Sequence, residues 1–241
     1  MKRRDFIQNT ALSSALLGLG GLAPLCSAAP RVSLSSFNTV DSKTKKLTIL
    51  HTNDVHSYID PFPPTHPKNP NMGGVARRAA LIETIRKENP NVLLLDAGDI
   101  FQGTPYFNIF KGEPEMRAMQ MMGYDAGVMG NHDFDAGMEN FVKQLADQGK
   151  FPILMCNYGF GQTPMENHFA PYKVFKKGDL RIGVTGVGIE LTGLVPESLY
   201  GNTVYMDPIS NASRTAALLK KEKKCDMVIC ISHLGDKYSD N

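Results

Sequence analysis

Gly130-Asn131-His132-Asp133-Phe134-Asp135 places an amide, an imidazole and two carboxylates within five consecutive positions after a glycine. The apolar run Ala126-Gly127-Val128-Met129 leads into it. A buried strand that ends in a tight polar turn is where α/β folds gather reactive side chains. Alone, the hexapeptide could be a polar turn before a helix capped by Asp133 or Asp135. The decision rests on whether other strand ends carry residues of matching chemistry.

They do. Leu47-Thr48-Ile49-Leu50 reads as a short strand and runs into His51-Thr52-Asn53-Asp54-Val55-His56. Asp54 and His56 are two apart, which on an extended strand end puts both side chains on one face. A carboxylate beside an imidazole suits a divalent transition metal. Val92-Leu93-Leu94-Leu95 is fully apolar, as a buried strand requires, and ends in Asp96-Ala97-Gly98-Asp99. Gly98 permits a sharp turn there; Asp96 reads as structural and Asp99 as the candidate ligand. Met227-Val228-Ile229-Cys230-Ile231 is a further buried strand, ending in Ser232-His233-Leu234-Gly235.

Asp54, His56, Asp99, Asn131, His132 and His233 thus all stand just past apolar strands, and such ends lie along one edge of an α/β sheet. Oxygen and imidazole donors without a thiolate point to Zn, Mn, Co, Fe or Mg rather than a structural zinc. The set resembles a two-metal site, in which one aspartate bridges ions about 3.5–4 Å apart. Such a pair acidifies a bound water and clamps the attacking and leaving oxygens of phosphoryl transfer.

Between the strands, helices are predicted over 75–87, 113–122, 137–148 and 208–223, the last capped by Asp207-Pro208. The methionines at 116, 119, 121 and 122 read as core filler. Phe101 to Phe110 reads as an irregular aromatic wall beside the site, and Pro61 to Pro70 as a surface loop with a solvated His66. Residues 151–156 read as a strand and 157–171 as a loop. Two runs, 172–175 and 180–187, flank Lys177-Gly178-Asp179, a hairpin signal that adds antiparallel pairing. The glycines at 183, 186 and 188 are not spaced as a dinucleotide-binding loop. Strands alternating with helices predict an α/β fold with mixed sheets.

The blocks Leu50 to His56, Gly73-Gly74-Val75-Ala76-Arg77, Asp96 to Asp99, Gly130 to Asp135 and Ser232 to Gly235 together resemble the N-terminal domain of the calcineurin-like metallophosphoesterases, in the bacterial 5′-nucleotidase and UDP-sugar hydrolase branch. The resemblance implies a four-layer α/β/β/α sandwich and a two-metal hydrolase of nucleotides or other phosphate esters. It implies that Asp54 and His56 bind the first metal, that Asp99 bridges, and that Asn131 and His233 bind the second. His132 would stabilise the transition state or protonate the leaving oxygen, oriented by Asp135. The family pattern has Glu where this chain has Asp133, a position to which no chemistry is assigned.

The family pattern also has a later Gly-x-His-x-His segment and a C-terminal substrate domain, neither found in residues 1–241. The chain therefore reads as truncated, with an incomplete second sheet, an exposed edge and poor stability. A separate chain could supply the substrate domain. Two functions stay open: a metal-dependent hydrolase, and a catalytically inactive metal-binding domain. A binding module that merely kept the fold would have no use for His132 and Asp135.

Composition narrows the setting. The 241 residues are 42% hydrophobic and 21% charged, with net charge +2, which suits about one sizeable domain, here 46–241. Lys2, Arg3 and Arg4 against Asp5 account for that charge, so no basic stripe suggests a nucleic-acid polymer. Residues 1–29 read as an export signal: a basic start, an apolar stretch from Ala11 to Ala23, then Ser27-Ala28-Ala29. Arg3-Arg4-Asp5-Phe6-Ile7 resembles a twin-arginine signal, implying a periplasmic protein exported folded. The apolar stretch is too short and rich in Gly and Ser for a stable membrane span. Cys26 lacks the neighbour expected of a lipoprotein anchor. Residues 30–45 read as a linker. Cys156 and Cys230 read as buried thiols, with a disulfide among Cys156, Cys225 and Cys230 left open.

Overall fold

Five consecutive buried residues, Val92–Asp96, form β2, the middle strand of a parallel three-stranded sheet. It lies between β1 (Thr48–Thr52) and β3 (Ala126–Gly127). A strand paired on both sides and covered on both faces needs an apolar residue at almost every position, which is why this run does not alternate. The structure, a computed structural model, describes residues 44–235. The export segment and nearly all of the predicted linker lie outside the described residues. Residues 45–235 belong to one compact unit.

A small antiparallel pair joins β4 (Tyr158–Gly159) to β7 (Val204–Tyr205). The other main sheet has the order β5 (Tyr172–Lys177), β6 (Leu180–Gly188), β8 (Met227–His233). The β5–β6 pair is the predicted hairpin, closed by Gly178-Asp179 between Lys177 and Leu180. β8 runs parallel to β6. The two main sheets meet at Gly186, which lies against the Leu154 backbone and the Val128 side chain; any side chain at 186 would collide with both. Close packing, rather than a cofactor, explains this glycine of β6.

The helices are α1 (Val75–Glu88), α2 (Pro105–Phe110), α3 (Glu113–Met122), α4 (Met138–Gln144), α5 (Glu197–Tyr200) and α6 (Pro208–Lys221). α6 packs on β6 and β8 with Leu219 fully buried. Asp207 caps it by accepting from the Ser210 N–H at 2.7 Å, as its sequence suggests. Arg86 of α1 donates to the Met122 and Gly123 carbonyls, satisfying the open end of α3. Met116, Met119 and Met122 fill the core, whereas Met121 is 81% exposed. None of the helices among the described residues is long and apolar enough to cross a membrane.

The fold is mixed α/β, as the sequence implies, but several local expectations change. Phe101–Phe110 is not an irregular wall. Pro105 starts α2 at the position where proline costs no hydrogen bond, and Phe101 and Phe107 are core residues packed 5.3 Å apart. Residues 151–156 are buried yet make only isolated bridges. Their backbone changes partner at almost every step: Pro152 O accepts from Gly127, Met155 N–H donates to Ala170 and Cys156 N–H to Gly186. This segment ties one sheet to the other instead of extending either. The 137–148 helix is α4 followed by a π turn over Leu145–Gly149. His66 is not free in solvent: it stacks on Phe62 at 4.4 Å and accepts from the Asn69 N–H. Cys156 and Cys225 are buried free thiols, but Cys230 is exposed on β8 and also free. β8 is an edge strand among the described residues, and Cys230 lines a cavity beside it.

Candidate metal centre

The site is built where β1, β2, β3 and β8 end. Past β1 the chain does not stay extended. Asp54, His56 and Ser57 take φ values of 50°, 44° and 56°, and Asp99, past β2, takes 55°. Non-glycine residues seldom occupy this left-handed region, and clusters of them mark functional sites. The two loops hold one another: the N–H groups of Asp54, His56 and Ser57 donate to the carbonyls of Gly98, Asp99 and Ile100 at 3.0–3.1 Å. Asp54 and His56 therefore share a face through paired left-handed loops, not through the extended strand their spacing suggested.

Gly130 makes the approach of the third strand end possible. A side chain there would collide with the Asp99 carboxylate. In its place the Asp99 Oδ1 accepts the His132 backbone N–H at 2.9 Å. The other oxygen, Oδ2, faces two imidazoles: His56 Nε2 at 3.7 Å and His233 Nε2 at 3.4 Å. His56 Nδ1 lies 3.2 Å from the Phe101 carbonyl and His233 Nδ1 lies 2.7 Å from the Ala97 carbonyl. Each carbonyl can only accept, so each Nδ1 carries a proton and each Nε2 is the ring nitrogen turned toward Asp99, where an ion would meet it. Asp54 Oδ1 lies 3.7 Å from His56 Nε2. Ligand atoms of Asp54, His56 and Asp99 fall within 4.8 Å of one another, a group able to hold a metal ion.

Charge is arranged to match. Burial pushes the Asp99 carboxyl up, but the His233 ring, the His132 N–H and the neighbouring imidazoles bring it below the usual range. Burial alone would lower His233; hydrogen bonds to Asp99 and Ala97 and the Asp99 charge lift it to about 9. His132 Nδ1 lies 2.9 Å from Asp135 Oδ2, and its ring meets His56 edge-on at 5.3 Å. Asp54, Asp99, Asn131 and His233 line a common cavity of about 820 Å³ that continues between β1 and β8 past Ile49 and Ile231. All seven residues singled out in the sequence are thus at one end of the molecule. His51, within β1, and Asn53, just past it, also line the cavity, and their sequence signal was their place at the strand end that leads to Asp54.

One residue was missed. Asp133 is completely buried and accepts four backbone N–H groups: Gly130 at 2.9 Å, Asp99 at 3.1 Å, Ile100 at 2.9 Å and Phe101 at 3.1 Å. It fastens the Asp99 turn to the Gly130 turn. Burial, with the charges of Asp99 and Asp96, pushes its carboxyl up to about 7, while the N–H groups pull the other way. Every contact it makes is an acceptance, so the ionised form is the one that matches its surroundings. Asp96, also buried, behaves as the structural residue expected: it accepts from Thr52 Oγ1 at 2.6 Å and from Gly98 N–H at 2.9 Å.

Comparisons with known proteins identify the family to which this fold belongs. A family model described as calcineurin-like phosphoesterase matches residues 47–241. The chain is 38% identical to a Homo sapiens 5′-nucleotidase over 197 residues, covering 79% of this chain and 34% of that protein. It is 33% identical to a Vibrio cholerae 5′-nucleotidase over 239 residues, covering 97% of this chain and 40% of that one. The solved 5′-nucleotidase precursor from Thermus thermophilus superposes with a TM-score of 0.69 at 32% identity, over 78% of this chain and 37% of that chain. The chain thus spans well under half the length of the curated relatives it matches.

Proposed function

The chain belongs to the calcineurin-like phosphoesterase family, and from that premise we propose that it is a metal-dependent phosphoric ester hydrolase acting on nucleotides. The observation that carries the reading is Asp99 Oδ2 between two imidazole Nε2 atoms, each with its Nδ1 anchored to a carbonyl. That donor set fits two divalent ions: Asp54, His56 and Asp99 would hold one, and Asp99, Asn131 and His233 the other. Relatives named 5′-nucleotidases support a nucleotide as substrate.

When bound, such ions acidify water and offset the charge that develops on the transferring phosphoryl group. The chain's own residues supply the rest. The anchored Nδ1 protons keep His56 and His233 in one tautomer. The low-lying carboxyl of Asp99 favours the ionised form, which it would need in order to hold metal. Asp135 accepts the Nδ1 proton of His132 and fixes the ring, so that a protonated Nε2 can be turned toward a leaving oxygen. Asn131 is an uncharged donor and acceptor on the cavity wall, suited to a phosphate oxygen as well as a metal.

The test is hydrolysis of 5′-AMP and of an aryl phosphate by the full chain with added Mn²⁺, alongside metal content. Metal-dependent release of phosphate from 5′-AMP is expected. Bound metal without turnover of either substrate would favour the inactive metal-binding domain. Residues 1–29 support export to the periplasm by the twin-arginine route. Cell fractionation should find the protein exported, and replacing Arg3 and Arg4 by Lys should leave the precursor in the cytoplasm.

A further inference from the structure

A second set of polar groups lies behind the metal loop and takes no part in the arrangement above. Ser57 and Glu115 are 1% and 4% exposed. Ser57 Oγ, both Glu115 carboxylate oxygens and Arg78 Nε are buried and make no hydrogen bond. All three residues line one small cavity of about 10 Å³ under Val55 and Ile100. They come from three places: Ser57 from the left-handed loop next to His56, Glu115 from the first turn of α3 and Arg78 from α1.

A buried polar group without a partner is unfavourable, and a buried carboxylate more so. Burial drives the Glu115 carboxyl up while the nearby Ser57 hydroxyl pulls it down. The two groups are therefore close, yet no atom pair meets hydrogen-bond geometry. The cavity is about the size that admits a single water, and a water needs roughly 2–4 polar partners. The lining offers that set: the carboxylate accepts, the guanidinium Nε–H donates, and the hydroxyl does either.

We infer that one buried water bridges Glu115, Arg78 and Ser57, and that Glu115 is thereby a positioning residue for the metal loop. Ser57 N–H already donates to Ile100 O. Fixing its side chain as well locks the residue beside His56 in its left-handed conformation, and so fixes the aim of the His56 ring. This rests on the metal reading above only for its effect on affinity. The water itself does not depend on it.

Two measurements on the full chain test the inference. A high-resolution crystal structure of the metal-free protein should show one water within hydrogen-bond distance of Glu115, Arg78 and Ser57. An empty cavity, or a direct Glu115–Arg78 ion pair that closes it, would overturn the proposal whether or not the protein binds metal. In Mn²⁺ titrations Glu115→Ala should weaken binding about tenfold or more, the size of effect that outer contacts of a metal site produce. Glu115→Gln, which keeps an acceptor, should restore most of that affinity. Met116→Ala, equally buried on α3 but outside this cavity, should lower stability without shifting Mn²⁺ affinity. Equal weakening by Met116→Ala, or unchanged affinity in folded Glu115→Ala, would mean that Glu115 is only structural. Wild-type protein that binds no Mn²⁺ would defeat the metal reading and with it the positioning role, leaving the water to be judged by the crystal structure.

Discussion

The two halves of the proposed metal centre are held in different ways. Asp54, His56 and Asp99 ride on loops bound backbone to backbone and sewn to the Gly130 turn through Asp133. His233 instead ends β8, an edge strand among the described residues, and reaches the first sheet through its own side chain, at Ala97 O and Asp99 Oδ2. The first half is preorganised by the main chain throughout, whereas the second shares Asp99 and the Gly130 turn with it but adds one imidazole held through its side chain. An ion held by Asp54, His56 and Asp99 should therefore bind more tightly than one held by Asn131 and His233.

The largest effect should come from the residue the halves share. Asp99→Asn removes charge from both, and metal affinity should fall by more than the ~100-fold that outer contacts reach, with turnover lost. Metal content by mass spectrometry and 5′-AMP hydrolysis check this. His233→Ala should remove only the weaker ion. Loss of both ions from His233→Ala, or of one from Asp99→Asn, would break the division.

His132 belongs to the first half but should not act through metal. Its replacement by Ala should lower kcat by about 10²- to 10⁴-fold, the range of a general acid, with Mn²⁺ affinity unchanged. Asp135→Asn should cost less, since it disturbs the ring's orientation and not its presence. A His132→Ala variant that loses metal would make the residue part of the scaffold.

Next comes Asp133, whose role is mechanical. Asp133→Ala strands four backbone donors away from water. Breaking a buried charged network of this kind costs about 3–5 kcal/mol, measurable by urea denaturation with a loss of metal affinity in parallel. Replacement with less than about 1 kcal/mol lost would show that the preorganisation of the first half lies elsewhere.

Much of this was legible in the sequence, for a physical reason. Val92 to Leu95 announces a strand covered on both faces, and Asp96-Ala97-Gly98-Asp99 a turn at its end, because both signals are local. Asp133 was not legible. A carboxylate that accepts N–H groups from residues more than thirty positions away looks, in sequence, like any helix cap. Residues 151–156 misled differently: their apolar character records burial, and burial is the same for a ladder strand and for a segment crossing between sheets. The left-handed values at Asp54, His56 and Asp99 carry no sequence signal because none is glycine. The pairing of the two loops imposes them.

The smallest effect concerns the second half alone. In metal-free protein the His233 pKa rises from the ordinary 6.5 to about 9. A group whose folded pKa is raised contributes stability that is complete below its unfolded pKa, near 6.5, and is lost as pH rises through the folded value. Metal-free stability should therefore decline between about pH 6.5 and pH 9, by roughly 3 kcal/mol at most, and His233→Gln should abolish that slope. Bound metal should remove it too, because a ligated Nε2 carries no proton at either end of the range. The same slope in wild type and His233→Gln would place the titrating group in the first half and erase the contrast between the two.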